Sequence, residues 1–99
     1  MSFNPDQFDV LRKISKKPNA NQRKLAKELG FSLGKINYCL NALKEKGLIK
    51  MKNFVNNPSK LNYGYVLTPK GVTQKTKLTF YFMKMKLKEY EELKKEVNN

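Results

Sequence analysis

At 99 residues the chain has room for one domain, since single cores divide only at roughly two to three times that length, and 21 Lys and Arg against 8 Asp and Glu leave a formal net charge of +13. So large a charge on so short a chain points to a polyanionic partner. With no histidine and a single cysteine, the chain lacks the commonest general base, the commonest zinc ligand and any intrachain disulfide, so no metal site, cofactor or enzymatic activity is expected.

Residues 5–16 place Phe8, Leu11, Ile14 and Val10 at helical spacing, with Pro5 tolerated in a first turn and Pro18 ending the run. Asn21 is an N-cap for a short second helix that buries Leu25, Ala26 and Leu29 and stops at Gly30. Ser32 caps a third helix whose Leu33, Ile36, Leu40 and Leu43 form one apolar face with Cys39 at its edge, and Gly47 closes it. Two short helices joined through Gly30, Phe31 and Ser32 make a helix-turn-helix pattern.

Leu48–Val55 and Leu61–Leu67 are rich in branched and aromatic residues and flank the polar stretch from Asn56 to Lys60, which predicts a two-stranded hairpin in the position of a wing. Thr68 and Pro69 then read as an N-cap and a first helical residue. No proline follows, so one helix to about Val97 is expected, about 42 Å long at 1.5 Å per residue. Such a helix exceeds the body of a 99-residue domain. Its apolar residues surround the first half and thin to a stripe, with an impure heptad at Thr76, Thr79, Met83, Lys86, Tyr90, Leu93 and Val97. Apolar residues on several sides call for burial by the chain itself and by a second copy. The division expected is a winged helix-turn-helix over 1–68 and a dimerisation helix over 69–99. The fold class is mostly α with a small β-hairpin.

The run from Leu29 to Ile49, with its Leu43-Lys44-Glu45-Lys46-Gly47-Leu48-Ile49 ending, resembles the helix-turn-helix of MarR-type regulators, and Leu67-Thr68-Pro69-Lys70-Gly71 resembles the start of that family's post-wing helix. Chain length, Ser32-Leu33-Gly34-Lys35 with Asn37-Tyr38, and the post-wing helix onset are most similar to a short branch described as exopolysaccharide-associated. The likeness covers roughly residues 6–93. It implies a homodimer that sets each recognition helix, about 32–46, in a major groove and each wing, about 48–67, on backbone or minor groove. Repression of transcription is the implied outcome. The longer relatives carry extra terminal helices and an effector pocket, so the resemblance leaves open whether a small-molecule effector is sensed.

On the helical wheel Ser32, Lys35, Asn37, Tyr38 and Asn41 are the candidate base readers, because asparagine pairs with adenine and lysine donates to guanine. An ordinary solvated face is the plainer reading. Gln22, Arg23, Lys24, Lys44, Lys50, Lys52 and Lys60 are candidate phosphate contacts, with solubility alone as the alternative for the wing lysines. Asn56, Asn57 and Ser59 form the wing tip. Leu78, Phe82, Met83, Leu87, Tyr90 and Leu93 are the candidate dimer residues. Tyr63, Tyr65, Phe80, Tyr81 and Phe82 suit core and dimer packing better than base stacking on single strands. Cys39 is either a packed small residue or an oxidant sensor. No apolar stretch approaches the roughly 20 residues of a membrane span and no leader pattern is present, so a cytoplasmic protein is expected. A winged-helix module that binds a protein partner or RNA is the competing functional reading.

Overall fold

The computed structural model describes residues 4–53 and 63–98, in the order α1 (Pro5–Lys16), α2 (Gln22–Leu29), α3 (Leu33–Glu45), β1 (Ile49–Asn53), β2 (Tyr63–Leu67) and α4 (Pro69–Asn98). The helix boundaries follow local chemistry. Asn4, Asn21 and Ser32 each sit in extended backbone and accept, through their side chains, the N–H of Gln7, Lys24 and Lys35 at 2.8, 2.8 and 3.1 Å. Gly30 ends α2 in the left-handed region at φ 70°, where a residue bearing a Cβ is strained. That stop lets Ser32 start α3 within three residues.

The core is one cluster. Phe8, Val10, Leu11 and Ile14 of α1 meet Leu25 and Ala26 of α2, Ile36, Cys39, Leu40 and Leu43 of α3, Leu48 and Ile49, Tyr65 of β2, and Leu78 and Phe82 of α4. Leu29, expected inside, is only half-buried, packed against the cluster from outside as Phe31 and Leu67 also are. Leu33 departs further from the expectation, being 54% exposed. Side chains lean toward a helix's N-terminus, so one in the first turn overhangs the start of α3, whereas Cys39, expected at the edge of the apolar face, is buried.

The strands are antiparallel, Met51 facing Tyr65 in register, and the α1–α2 loop adds a bridge from Ala20 to Tyr65. Lys60 and the tip residues Asn56, Asn57 and Ser59 lie outside the described residues. At the wing's exit Thr68 ties α4 to the end of α3. Its hydroxyl donates to the Gly47 carbonyl at 2.6 Å and accepts the Gly71 N–H at 3.0 Å, while its own N–H donates to the Leu48 carbonyl at 3.0 Å. Between α1 and α2, the Lys17 ammonium pairs with Glu28 and holds that carboxyl below the usual range.

α4 divides lengthwise. Gly71, Leu78 and Phe82 face the body, where Phe82 stacks on Phe8 at 4.7 Å between ring centroids, and residues 83–98 are all exposed. The molecule therefore measures 62 × 26 × 20 Å, a body with a protruding arm. None of the described helices is long and apolar enough to cross a membrane.

Burial in the core pushes the Cys39 thiol up from its ordinary range; the Asp6 carboxylate adds to the rise and Lys35 opposes it. The folded thiol stays protonated where an unfolded one ionises, above about pH 8.5, so the stability it contributes at neutral pH is lost as pH climbs past that value. Native protein at pH 8.5 is thus expected to resist alkylation until urea is added, and its urea midpoint to fall between pH 7.5 and 9.5. Rapid alkylation of the folded protein would show that the thiol is accessible.

Candidate nucleic-acid interface

α3 presents the face opposite its buried Ile36, Leu40 and Leu43 to solvent. Asn37, Tyr38 and Asn41 lie there together, with Tyr38 65% exposed, and Gly34 adds a position without a side chain. Exposed amide and phenol groups on adjacent turns form an array of donors and acceptors, and an array of that kind reads base edges. Leu33, which periodicity assigned to the core, is exposed in the first turn of α3. The overhang of a first-turn side chain was the available signal, and an exposed leucine there can meet a thymine methyl.

Two candidate readers are partly engaged. Ser32 spends its oxygen on the cap, which leaves its hydroxyl hydrogen to donate. Lys35 points back along α3 toward α1: its ammonium lies 3.1 Å from an Asp6 carboxylate oxygen and 4.3 Å from the centre of the Phe31 ring. The structure thus groups Asn37, Tyr38 and Asn41 and holds Lys35 at the border. Wheel geometry shows which way a side chain leaves its helix, and Asp6, on another helix, lay beyond its reach.

Basic residues flank the array. Arg23 and Lys24 are exposed in the first turn of α2 and Gln22 is half-buried beside them. Lys44 is exposed in the last turn of α3, its ammonium 4.0 Å from the Met51 sulfur of β1, and Lys50 and Lys52 project from the same strand. Lys46 turns inward, donating to the buried Gln7 side chain at 3.0 Å. The arrangement is a polar, exposed face on α3, with exposed cations in α2, at the end of α3 and in β1. Among the described residues no group of three or more His, Cys, Asp or Glu could hold a metal ion.

The candidate dimer residues divide. Leu78 and Phe82 are 0% and 9% exposed within their own chain, which takes them out of an intersubunit set and into the core. Met83, Leu87, Tyr90 and Leu93 are exposed. Because the body claims the Gly71, Leu78 and Phe82 side, the free apolar track runs through Phe80, Met83, Leu87 and Tyr90 rather than along the heptad through Thr79 and Lys86. Thr76 and Thr79 instead donate back to the carbonyls of Val72 and Lys75.

These features define a winged helix-turn-helix, and residues 7–50 match a family described as winged helix-turn-helix DNA-binding. The fold is similar to that of solved proteins described as MarR and as a MarR family transcription regulator. It is similar to Staphylococcus aureus MarR in complex with salicylate and kanamycin (TM-score 0.72, 21% identity, 91% of this chain and 59% of that one). It is also similar to Streptococcus pneumoniae FabT in complex with DNA (TM-score 0.70, 24% identity, 89% and 59%) and to an S. aureus MepR–DNA complex (TM-score 0.70, 20% identity, 85% and 60%). The chain spans about three-fifths of the length of these structures. No curated protein matches it in sequence.

Proposed function

We propose that this chain is a sequence-specific double-stranded DNA-binding regulator of transcription, a repressor that acts as a homodimer. The observation that carries the reading is the exposed Asn37, Tyr38 and Asn41 face of α3, edged by Arg23, Lys24, Lys44, Lys50 and Lys52 in a chain of net charge +13. α3 enters the major groove, where these side chains, with Ser32 and Lys35, reach base edges. Gln22 and the flanking cations, Lys60 included, hold phosphates, and the wing follows the backbone or a minor groove. Residues 1–68 supply DNA contact and 69–99 supply dimerisation, through Met83, Leu87, Tyr90 and Leu93. Repression follows from occupying a promoter, and the kinship proposed is with the short exopolysaccharide-associated MarR branch, in a cytoplasmic protein. Binding to duplex DNA, single-stranded DNA and RNA of matched length tests the polyanion choice. Duplex should win, with log affinity falling against log salt by about 0.9 per phosphate contact; equal or tighter binding to RNA would overturn the reading.

The Asp6–Lys35 pair yields a separate expectation. Asp6 competes with DNA for the Lys35 ammonium, and an exposed pair of this kind contributes about 0–1 kcal/mol. Asp6→Asn should tighten duplex binding a few-fold at low salt, with the gain vanishing at high salt, by fluorescence anisotropy. Unchanged affinity at low salt would place Lys35 away from the DNA.

A further inference from the structure

The arm beyond the body has two faces of information, one apolar and one electrostatic. Phe80, Met83, Leu87 and Tyr90, steps of three and four apart, are all exposed, and Val97 extends the track. Phe80, Met83, Lys84 and Leu87, with Lys86 beside them, line an apolar depression on the outside of α4. Their spacing of i, i+3, i+4 and i+7 is that of the hole that receives one knob from a facing helix. Charge along the same helix is segregated. From residue 70 to 88 it carries Lys70, Lys75, Lys77, Lys84, Lys86 and Lys88 and no acid, whereas beyond them four glutamates, Glu89, Glu91, Glu92 and Glu96, outnumber Lys94 and Lys95.

We infer that the arms of two copies pair antiparallel, crossing between Lys88 and Glu89, so that the lysine-rich stretch of each lies along the glutamate-rich end of the other. The inference rests on the homodimer proposed above and specifies its geometry. Crossing there sets Leu87 against Tyr90 of the second copy, Phe80 against Val97, and Met83 against the methylenes of Lys94, with Leu93 opposite the depression. Lys84 falls beside Glu91 of the second copy, twice by symmetry. A parallel pairing sets Lys94 against Lys94 in the seam and runs six lysines along their own copies, with only Lys86 against Glu91 to offset them. The antiparallel choice also fits duplex spacing. α4 touches its own body from Gly71 to Phe82, and the middle of that contact is about 18 Å along the helix from the crossing, at 1.5 Å per residue. Two bodies then sit about 36 Å apart along the arm, close to the roughly 34–36 Å of one duplex turn.

The test uses the full chain with Lys77→Cys carrying a spin label; wild type is the control, since buried Cys39 should not take label. Light scattering reports the mass and dipolar coupling the distance. A dimer with labels about 35 Å apart supports the inference, from the rise per residue. A dimer with labels under about 20 Å apart overturns the antiparallel geometry alone, given helix axes about 10 Å apart. A monomer at micromolar concentration, with and without DNA, overturns the dimer itself. Charge exchange gives an independent readout: Lys84→Glu and Glu91→Lys should each weaken dimerisation severalfold and the double variant should restore it. In the parallel geometry Lys84 faces Thr79, so Lys84→Glu leaves dimerisation unchanged, and that result also overturns the inference.

Discussion

Replacing Tyr38 and Asn41 together by alanine should cut the preference for the cognate duplex over random duplex by about 10²-fold or more, because each good base contact carries about 1–3 kcal/mol of discrimination. Neither side chain caps a helix or packs in the core, and alanine is the better helix former, so the fold should be retained or slightly stabilised. Neither is charged. Binding to random sequence, which the cations dominate, should therefore change little, and the salt slope should stay the same. Lys35 is left out of this pair on purpose: altering it changes net charge and the Asp6 contact at once. Competition titrations on cognate and scrambled duplexes would supply the numbers. An equal loss on both would mean that the two residues contribute general affinity and that base reading lies elsewhere.

Gly71→Ala should destabilise the fold by about 1–3 kcal/mol, the usual cost of forcing extra volume into a packed site. A Cβ at position 71 would stand 2.0 Å from the Leu48 carbonyl oxygen and 2.9 Å from its carbon, both backbone atoms that no rotamer change can clear. The start of α4 would have to lift from the junction where Thr68 bonds Gly47 and Leu48. Helix propensity argues the other way, since alanine gains about 1 kcal/mol over glycine in a helix interior. The sign of the result therefore decides between the two effects. A lowered urea midpoint, beside a nearly unchanged one for the exposed neighbour variant Val72→Ala, would establish the close approach; a raised midpoint would exclude it.

What the sequence made legible was whatever is settled within a few residues. Asn21, Gly30, Ser32, Thr68 and Pro69 mark boundaries because each satisfies or stops a nearby helix end, and all five mark them in the structure. The hairpin came from composition, although its tip falls outside the described residues. Less legible was anything set by a neighbour distant in sequence. The loop before α2 bridges to Tyr65, and Gly64 lies so close beneath Asn19 that a Cβ there would meet its carbonyl oxygen at 2.3 Å, yet nothing local marks either contact. Lys35 looked free until Asp6 of α1 was placed beside it.

The long helix shows the same limit in another form. A sequence apolar on several sides calls for burial on more than one of them, but periodicity alone could not assign sides. Only the stacking of Phe82 on Phe8 and the enclosure of Leu78 fix which side belongs to the body. That assignment leaves Phe80, Met83, Leu87 and Tyr90 as an outward apolar track. The polar face of α3 was more accessible to sequence reasoning because its buried opposite is a single, nearly complete stripe. Leu33 was the exception, for reasons of side-chain direction rather than hydrophobicity.

The most direct test of sequence-specific duplex recognition by α3 is selection of bound duplexes from a random pool by the full chain. The account predicts enrichment of two half-sites related by a two-fold axis, with centres about one helical turn, 34–36 Å, apart, and loss of that enrichment in the Tyr38→Ala/Asn41→Ala variant. A pool that stays random while binding remains tight and salt-sensitive would contradict it, leaving a cationic protein that holds DNA without reading it.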